Sequence, residues 1–317
     1  MRYFIGIDIG GMSIKAGLVD EKGNLTCKTS AITPLNDNGA IVKAVFMLID
    51  DVILKSGLTK DNIDGIGIGS PGIINTIKGE IVYASNLGIT HLKLCKEINT
   101  KYGIACHIEN DANCAVLGEY YFGEAVGQNN TVMITLGTGV GTGFIVNGKL
   151  LTSPLGGGTE GGHIPVVIDG EHCDCGENGC YERYASASAL IEQTKRAIAE
   201  NPDSIMAEIA RREGEINGKV VFLAVKQNDE TAQRVLEKYI KYVASGIIGI
   251  ANIFRPEVIL IGGGLSNEKA MLIEPLEQYV NEHIFGKNYL DKVRIKSAKL
   301  KNDAGILGAA MLSVNKI

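Results

Sequence analysis

The feature that most constrains this chain is a unit that occurs twice: an apolar strand, a glycine turn, and a second strand running straight back. The first copy occupies residues 5–19 around Gly10-Gly11, and the second residues 133–146 around Gly137-Thr138-Gly139-Val140-Gly141-Thr142-Gly143. Consecutive or alternating glycines let a backbone approach a ligand closely and aim its N–H groups at an anion. A strand follows each turn where a helix would follow a dinucleotide fingerprint, and no G-x-x-x-x-G-K-[ST] loop is present, so two common phosphate-binding motifs are excluded. The repetition reads as a weak internal duplication with one phosphate-sized turn in each half.

Between and after these units, strand and helix patterns alternate. Strands are expected at 3–9, 14–19, 24–32, 63–69, 104–109, 131–136, 143–146 and 258–261, and helices at 39–56, 92–101, 229–254 and 303–314. Another helix is expected to begin near Asn267, after Gly262-Gly263-Gly264. This order argues an α/β fold whose opening hairpins make the sheet mixed. At 317 residues the chain exceeds one comfortable core, and two lobes are expected. The boundary is placed at 115/116: a smaller lobe of residues 1–115 joined by the C-terminal helix 303–317, and a larger lobe of residues 116–302.

A net charge of −5 gives no electrostatic reason to expect a nucleic acid or an anionic membrane as partner. No run of 18 apolar residues occurs and the N-terminal stretch lacks a signal-peptide pattern, so a soluble, cytoplasmic protein is expected. Seven cysteines form no even framework, and three of them, Cys173, Cys175 and Cys180, lie within eight residues. That spacing suits Zn²⁺, which takes four N/S ligands in structural sites. His163 and His172 are the candidates for the fourth. His172 adjoins Cys173 and would need an awkward turn, which favours His163. Cys27, Cys95, Cys106 and Cys114 read as small core residues.

Asp8, two residues before Gly10-Gly11, is suited to hold hydrated Mg²⁺. Glu109-Asn110-Asp111 follows a strand at the edge where open α/β sheets place ligands. Asp111 there suits a general base and Asn110 a hydroxyl ligand, and both also suit a helix N-cap. Asn86, in Ser85-Asn86-Leu87-Gly88, suits a hydroxyl ligand, although turn formation is the commoner use of Asn in such a segment. Glu160, flanked by glycines, has little packing to explain it, which favours a functional role over the plainer alternative of a mobile lid.

The ordered set Asp8-x-Gly10-Gly11, Glu109-Asn110-Asp111, Leu136-Gly137-Thr138-Gly139-Val140-Gly141, Glu160-x-x-His163 and Cys173-x-Cys175-Gly176-x-x-Gly179-Cys180-x-Glu182 resembles the ROK family of bacterial sugar kinases and repressors. The match runs over essentially the whole chain. The resemblance implies an actin-like, hexokinase-like (ribonuclease H-like) fold of two α/β lobes with an interlobe cleft, and ATP-dependent phosphorylation of a sugar. It makes Asp111 the catalytic base and Gly72, Asn86, Asn110, Glu160, His163 and Glu182 the sugar contacts. It gives phosphate and Mg²⁺ to Asp8, Gly10, Gly11, Thr138 and Gly139, the adenosine side to Gly263, and structural zinc to His163, Cys173, Cys175 and Cys180. Glucose, phosphorylated to glucose 6-phosphate, is the expected substrate. N-acetylmannosamine, fructose or another hexose stand as alternatives, and a non-catalytic sugar sensor or repressor as the rival of another class. Family repressors carry an N-terminal helix-turn-helix, for which a phosphate-turn strand starting at residue 3 leaves no room. A homodimer is implied by the resemblance alone. One position departs from the pattern: Met12 stands where the family usually has Thr, which removes a hydroxyl donor to phosphate.

Overall fold

A computed structural model gives the fold and describes residues 1–314; the expected helix 303–317 therefore ends, at residues 315–317, outside the described residues. The chain divides into two compact units. The first comprises Met1–Met133, Gly143–Thr159 and the chain from Lys299 onward, and the second Ile134–Thr142 and Glu160–Ala298. The expected boundary at 115/116 instead falls inside one continuous helix (Asp111–Phe122), whose first turn carries the Asn and Asp that start it.

The first unit opens with β1 (Tyr3–Ile9), β2 (Ser13–Asp20), β3 (Leu25–Ile32) and α1 (Asn38–Ser56). β4 (Ile63–Ser70) is followed by the short strands β5 (Ile73–Asn75), β6 (Glu80–Ala84) and β7 (Ile89–Leu92), then α2 (Leu94–Tyr102), β8 (Cys106–Asn110) and α3 (Asp111–Phe122). The main sheet has the order β3-β2-β1-β4-β8, with β1–β2 and β2–β3 antiparallel and β1–β4 and β4–β8 parallel. The small sheet β5-β6-β7 was not expected from sequence: its strands are three to five residues long, and a register shift between Ile73 and Ile74 breaks the alternation that would reveal it.

Strand alternation divides the work of the two faces. Ile5, Ile7 and Ile9 of β1 and Ile66 and Ile68 of β4 enter one buried core with Ile41, Val45, Leu48, Ile49 and Val52 of α1. The opposite face carries Phe4, Gly6 and Asp8 on β1 and Gly65, Gly67 and Gly69 on β4. Here glycine is required by a close approach: a Cβ on Gly67 would lie 1.7 Å from the Ala309 carbonyl oxygen, and one on Gly6 2.0 Å from that of Ile306. The last helix, α10 (Ala304–Met311), thus lies with its main chain directly on the sheet and crosses α3 just as closely.

The second sheet has the order β11-β10-β9-β12-β13, built from β9 (Thr131–Leu136), β10 (Val140–Val146), β11 (Lys149–Leu150), β12 (Val258–Gly262) and β13 (Arg294–Ser297). The second unit's helices are α4 (Glu182–Ala185), α5 (Ala187–Glu200), α6 (Ile205–Glu213), α7 (Val220–Val225), α8 (Glu230–Phe254) and α9 (Glu274–His283). α8 starts on an Asp229 cap and buries Val235, Leu236, Tyr239, Val243, Ile247 and Ile250 on one face, the stripe its sequence shows. The helix expected near Asn267 begins at Lys269 and is irregular in its first turn. A 3₁₀ turn (Gly264–Asn267) precedes it, a π turn (Lys269–Ile273) opens it, and regular α-helix starts only where Pro275, which lacks an N–H, sits at the position that tolerates it.

Candidate active site

In the first unit, residues 10–13 form the β1–β2 turn. Its carbonyls are tied down: Thr33 Oγ1 donates to Gly10 O at 2.6 Å and Thr33 N–H to Met12 O at 3.2 Å. The N–H groups of Gly11 and Met12 find no acceptor among the described residues, and both residues are exposed. Two outward donors on a glycine turn make an anion cradle. Asn86 belongs beside it, since a Cβ on Gly11 would stand 3.9 Å from Asn86 Nδ2.

Asp8 is the penultimate residue of β1, just before that turn. The register places Asp8, Gly69 and Glu109 in one row across β1, β4 and β8. In parallel strands a row shares one face, and Gly69, lacking a side chain, leaves room there for the first turn of α3: a Cβ on it would be 3.6 Å from the Asp111 Cα and 3.1 Å from Cys114 Sγ. Burial and the nearby charges of Glu109, Asp8 and Asp111 push the Cys114 thiol well up, so three carboxylates surround one buried sulfur. Asp8 itself is raised by burial, an effect Lys15 partly opposes. A divalent cation on Asp8 would offset that cost, so the residue fits the Mg²⁺ role.

Asn110 caps α3, its Oδ1 accepting from Ala112 N–H at 2.9 Å, while Asp111 Oδ1 accepts from the same group at 2.8 Å. Both side chains therefore cap the same first turn of α3. Glu109 supports it from below: buried, with Oε1 accepting from Asn110 N–H at 2.8 Å and from Asn113 Nδ2 at 3.0 Å. Burial raises the Glu109 carboxyl, and its Oε2 has no hydrogen-bond partner. Gly72 is held at φ 92° with the Tyr83 carbonyl 2.2 Å from where a Cβ would stand, so the main chain alone explains it.

In the second unit, Gly137 N–H donates to Gly139 O and Ala187 N–H to Gly137 O, and the N–H groups of Thr138 and Gly139 have no acceptor among the described residues. A second anion cradle results. Glu182 is pinned beneath it, Oε2 accepting from Val140 N–H at 2.8 Å. A Cβ on Gly139 would lie 2.2 Å from that same oxygen, which is why glycine stands there. α4, which carries Glu182, is moored to α8: Tyr239 Oη donates to Ala185 O at 2.6 Å and Tyr181 Oη to Val243 O at 2.7 Å. Gly263, at φ 87°, packs on the Leu136 carbonyl, whereas the space beside Gly264 is open. Glu160 is exposed and leads into a 3₁₀ turn, Gly161–His163, that Gly161 N–H fastens to Thr142 Oγ1 at 2.8 Å.

His163, Cys173, Cys175 and Cys180 come together, their ligand atoms all within 4.8 Å of one another. Cys173 Sγ is 3.8 Å from His163 Nδ1 and Cys175 Sγ 3.6 Å from Cys180 Sγ. The edge of a tetrahedron with Zn–S bonds of about 2.3 Å is about 3.8 Å, so the donor set and spacing fit zinc. Burial and the two neighbouring thiols push Cys180 up to about 12; three thiolates there require a cation. His172 stays outside, its Nδ1 turned to Asn178 Oδ1 at 3.3 Å. With Nδ1 of His163 at the cluster, Nε2 is left for another partner.

Lys15, Thr33 and Asn113 were not singled out from sequence. The first was within reach of a register argument, because a turn at 10–13 pairs Asp8 with Lys15. The other two act through long-range contacts that no local pattern displays.

The sequence profile of the ROK family matches residues 4–316. The glucokinase of Streptomyces coelicolor is 34% identical over 316 residues, covering 99% of this chain and 98% of that protein. A xylose repressor of Caldicellulosiruptor bescii is 28% identical, covering 98% of this chain and 78% of the repressor. Among solved structures, a ROK family glucokinase from Streptomyces griseus in complex with glucose and AMPPNP superposes with a TM-score of 0.84 at 32% identity, with 98% of each chain covered. The fold is accordingly the actin-like, hexokinase-like α/β fold with mixed sheets.

Proposed function

The chain belongs to the ROK family, and from that premise we propose that it is an ATP-dependent sugar kinase whose preferred reaction is glucose to glucose 6-phosphate. The observation that carries this reading is the row Asp8–Gly69–Glu109, with Asp111 set down on it, beside the outward N–H groups of Gly11 and Met12. A carboxylate base, a cation-binding carboxylate and an anion cradle are the parts phosphoryl transfer to an alcohol requires, since the protein's task is alignment and charge stabilisation. Asp111 takes the proton of the sugar hydroxyl as the new O–P bond forms and ADP departs. Asn86, Asn110, Glu160, His163 and Glu182 bind sugar hydroxyls, with Gly72 shaping the pocket. Gly10, Gly11, Thr138 and Gly139 bind phosphate, and the adenosine lies against the glycines at 263–264.

Mg²⁺, held by Asp8, would neutralise phosphate charge. Zn²⁺, held by His163, Cys173, Cys175 and Cys180, would fix the loop of residues 160–182 and leave His163 Nε2 free for a hydroxyl. The glucose preference is supported by the glucokinases among the relatives. A Listeria monocytogenes structure described as a putative N-acetylmannosamine kinase shares only the fold at 23% identity. The test is a panel of hexoses with MgATP, read as kcat/KM from ADP formation. Glucose at the head of the panel supports the proposal; another sugar there replaces the substrate, and no sugar-dependent ADP formation removes the kinase reading.

A further inference from the structure

Lys15 has no role in the scheme above, yet it stands at the phosphate turn. On the antiparallel β1–β2 pair it is directly opposite Asp8, so both side chains leave the same face of the hairpin at one level. Its Nζ is 3.9 Å from Asp8 Oδ2, beyond hydrogen-bond range, and the side chain remains 37% exposed. Among the described residues Asp8 is its only carboxylate partner. This is a loose pair, ready to be exchanged for a stronger one.

The turn that joins the two residues presents the N–H groups of Gly11 and Met12, and Met12's own side chain is 89% exposed and carries no hydrogen-bonding hydroxyl. Phosphate seated on those N–H groups adds several negative charges beside one carboxylate. A divalent cation on Asp8 removes the partner that Lys15 has in the protein alone. The ammonium, a point charge with three donors on a flexible stem, then has a phosphate oxygen as its nearest unmatched anion. We infer that Lys15 contacts the terminal phosphate of ATP through Nζ, supplying from strand β2 the donor that position 12 lacks. This rests on the kinase reading for its catalytic consequence, but its nucleotide part stands separately.

The test compares wild type, Lys15→Met and Lys15→Arg for affinity towards Mg-AMPPNP and MgADP by calorimetry, with kcat measured at pH 7 and pH 8.5. Lys15→Met is expected to weaken AMPPNP about tenfold or more and ADP by less than about threefold, because a charge-assisted contact to the third phosphate is lost. Its kcat is expected to fall about 10²-fold at both pH values, as for other lost transition-state charge contacts. Lys15→Arg should recover most of the AMPPNP affinity. Unchanged AMPPNP affinity, or equal weakening of both nucleotides, overturns the proposal. So does a kcat loss that vanishes at pH 8.5, which would leave Lys15 acting only on the ionisation of Asp8. The affinity arm needs no sugar: a wild type that binds AMPPNP but forms no ADP with any hexose defeats the kinase reading and leaves the Lys15 contact to be judged on AMPPNP.

Discussion

Replacing Gly308 by alanine tests whether main-chain contact of α10 with α3 holds Asp8 and Asp111, the carboxylates of the proposed reaction, in place. The added methyl would stand 1.6 Å from the Cys114 carbonyl oxygen and 2.7 Å from Gly118 N. A comfortable C···O contact is about 3.5 Å, so the helices must part by about 2 Å. Overpacking of a core costs about 1–3 kcal/mol, and with main chain on both sides no rotamer relieves it, which places this case near 3. Alanine's helix propensity returns about 1 kcal/mol, leaving a net loss of about 2 kcal/mol and a fall in Tm of about 4–8 °C. Asp111 begins α3, and Gly305 of α10 lies against the Asp8 carboxylate, so a displacement of this size should also cost about 10²-fold in kcat. The assay is urea unfolding together with steady-state kinetics. Gly249→Ala is the control: that exposed glycine inside α8 has nothing within 4 Å of its would-be Cβ, and the change should stabilise by about 0.5–1 kcal/mol. Gly308→Ala matching the control in stability would refute the close-packing argument.

Protein prepared without chelators should carry about one zinc per chain by metal analysis, and Cys180→Ser should release it; absence of metal from the wild type removes the site. Asp8 titrates above the ordinary carboxylate range because it is buried, so ionising it costs the fold stability. That stability is present below the unfolded value and lost as pH rises through the folded one. Asp8→Asn should therefore resist denaturant better than wild type at pH 7 and match it near pH 3.5, while losing activity; the opposite order would show the carboxylate to be well paired. Thr33→Val deletes the 2.6 Å bond to Gly10 O and should cost about 1 kcal/mol and raise KM for ATP more than KM for glucose. Thr33→Ser should behave as wild type.

Strands read from sequence at 3–9 and 131–136 coincide with β1 and β9, short apolar runs buried on both faces, and the long stripe with α8, whose buried face keeps an unbroken helical period. The Gly-Ile alternation of residues 65–69 was equally visible, but its meaning was not. Whether bare glycine on one face admits a ligand or a helix depends on α10, some 240 residues further along. The cysteine cluster was legible because its ligands are local and their chemistry is distinctive. The Asn110-Asp111 pair suits both a base and a cap in the sequence, and the geometry at the start of α3 shows the cap. Gly72 and Gly263 were assigned to ligand pockets by resemblance, whereas contacts with the Tyr83 and Leu136 carbonyls already account for both. Thr33 was invisible because its hydroxyl works on a turn twenty residues earlier.

The most direct measurement is turnover and glucose affinity of Asp111→Asn. An asparagine preserves size and hydrogen bonding but accepts no proton, so kcat should fall at least about 10²-fold. Glucose affinity by calorimetry should stay within about threefold of wild type. A variant that phosphorylates glucose at a near-normal rate would contradict the assignment of the base, and with it the reading of this row of carboxylates as the place where the sugar hydroxyl loses its proton.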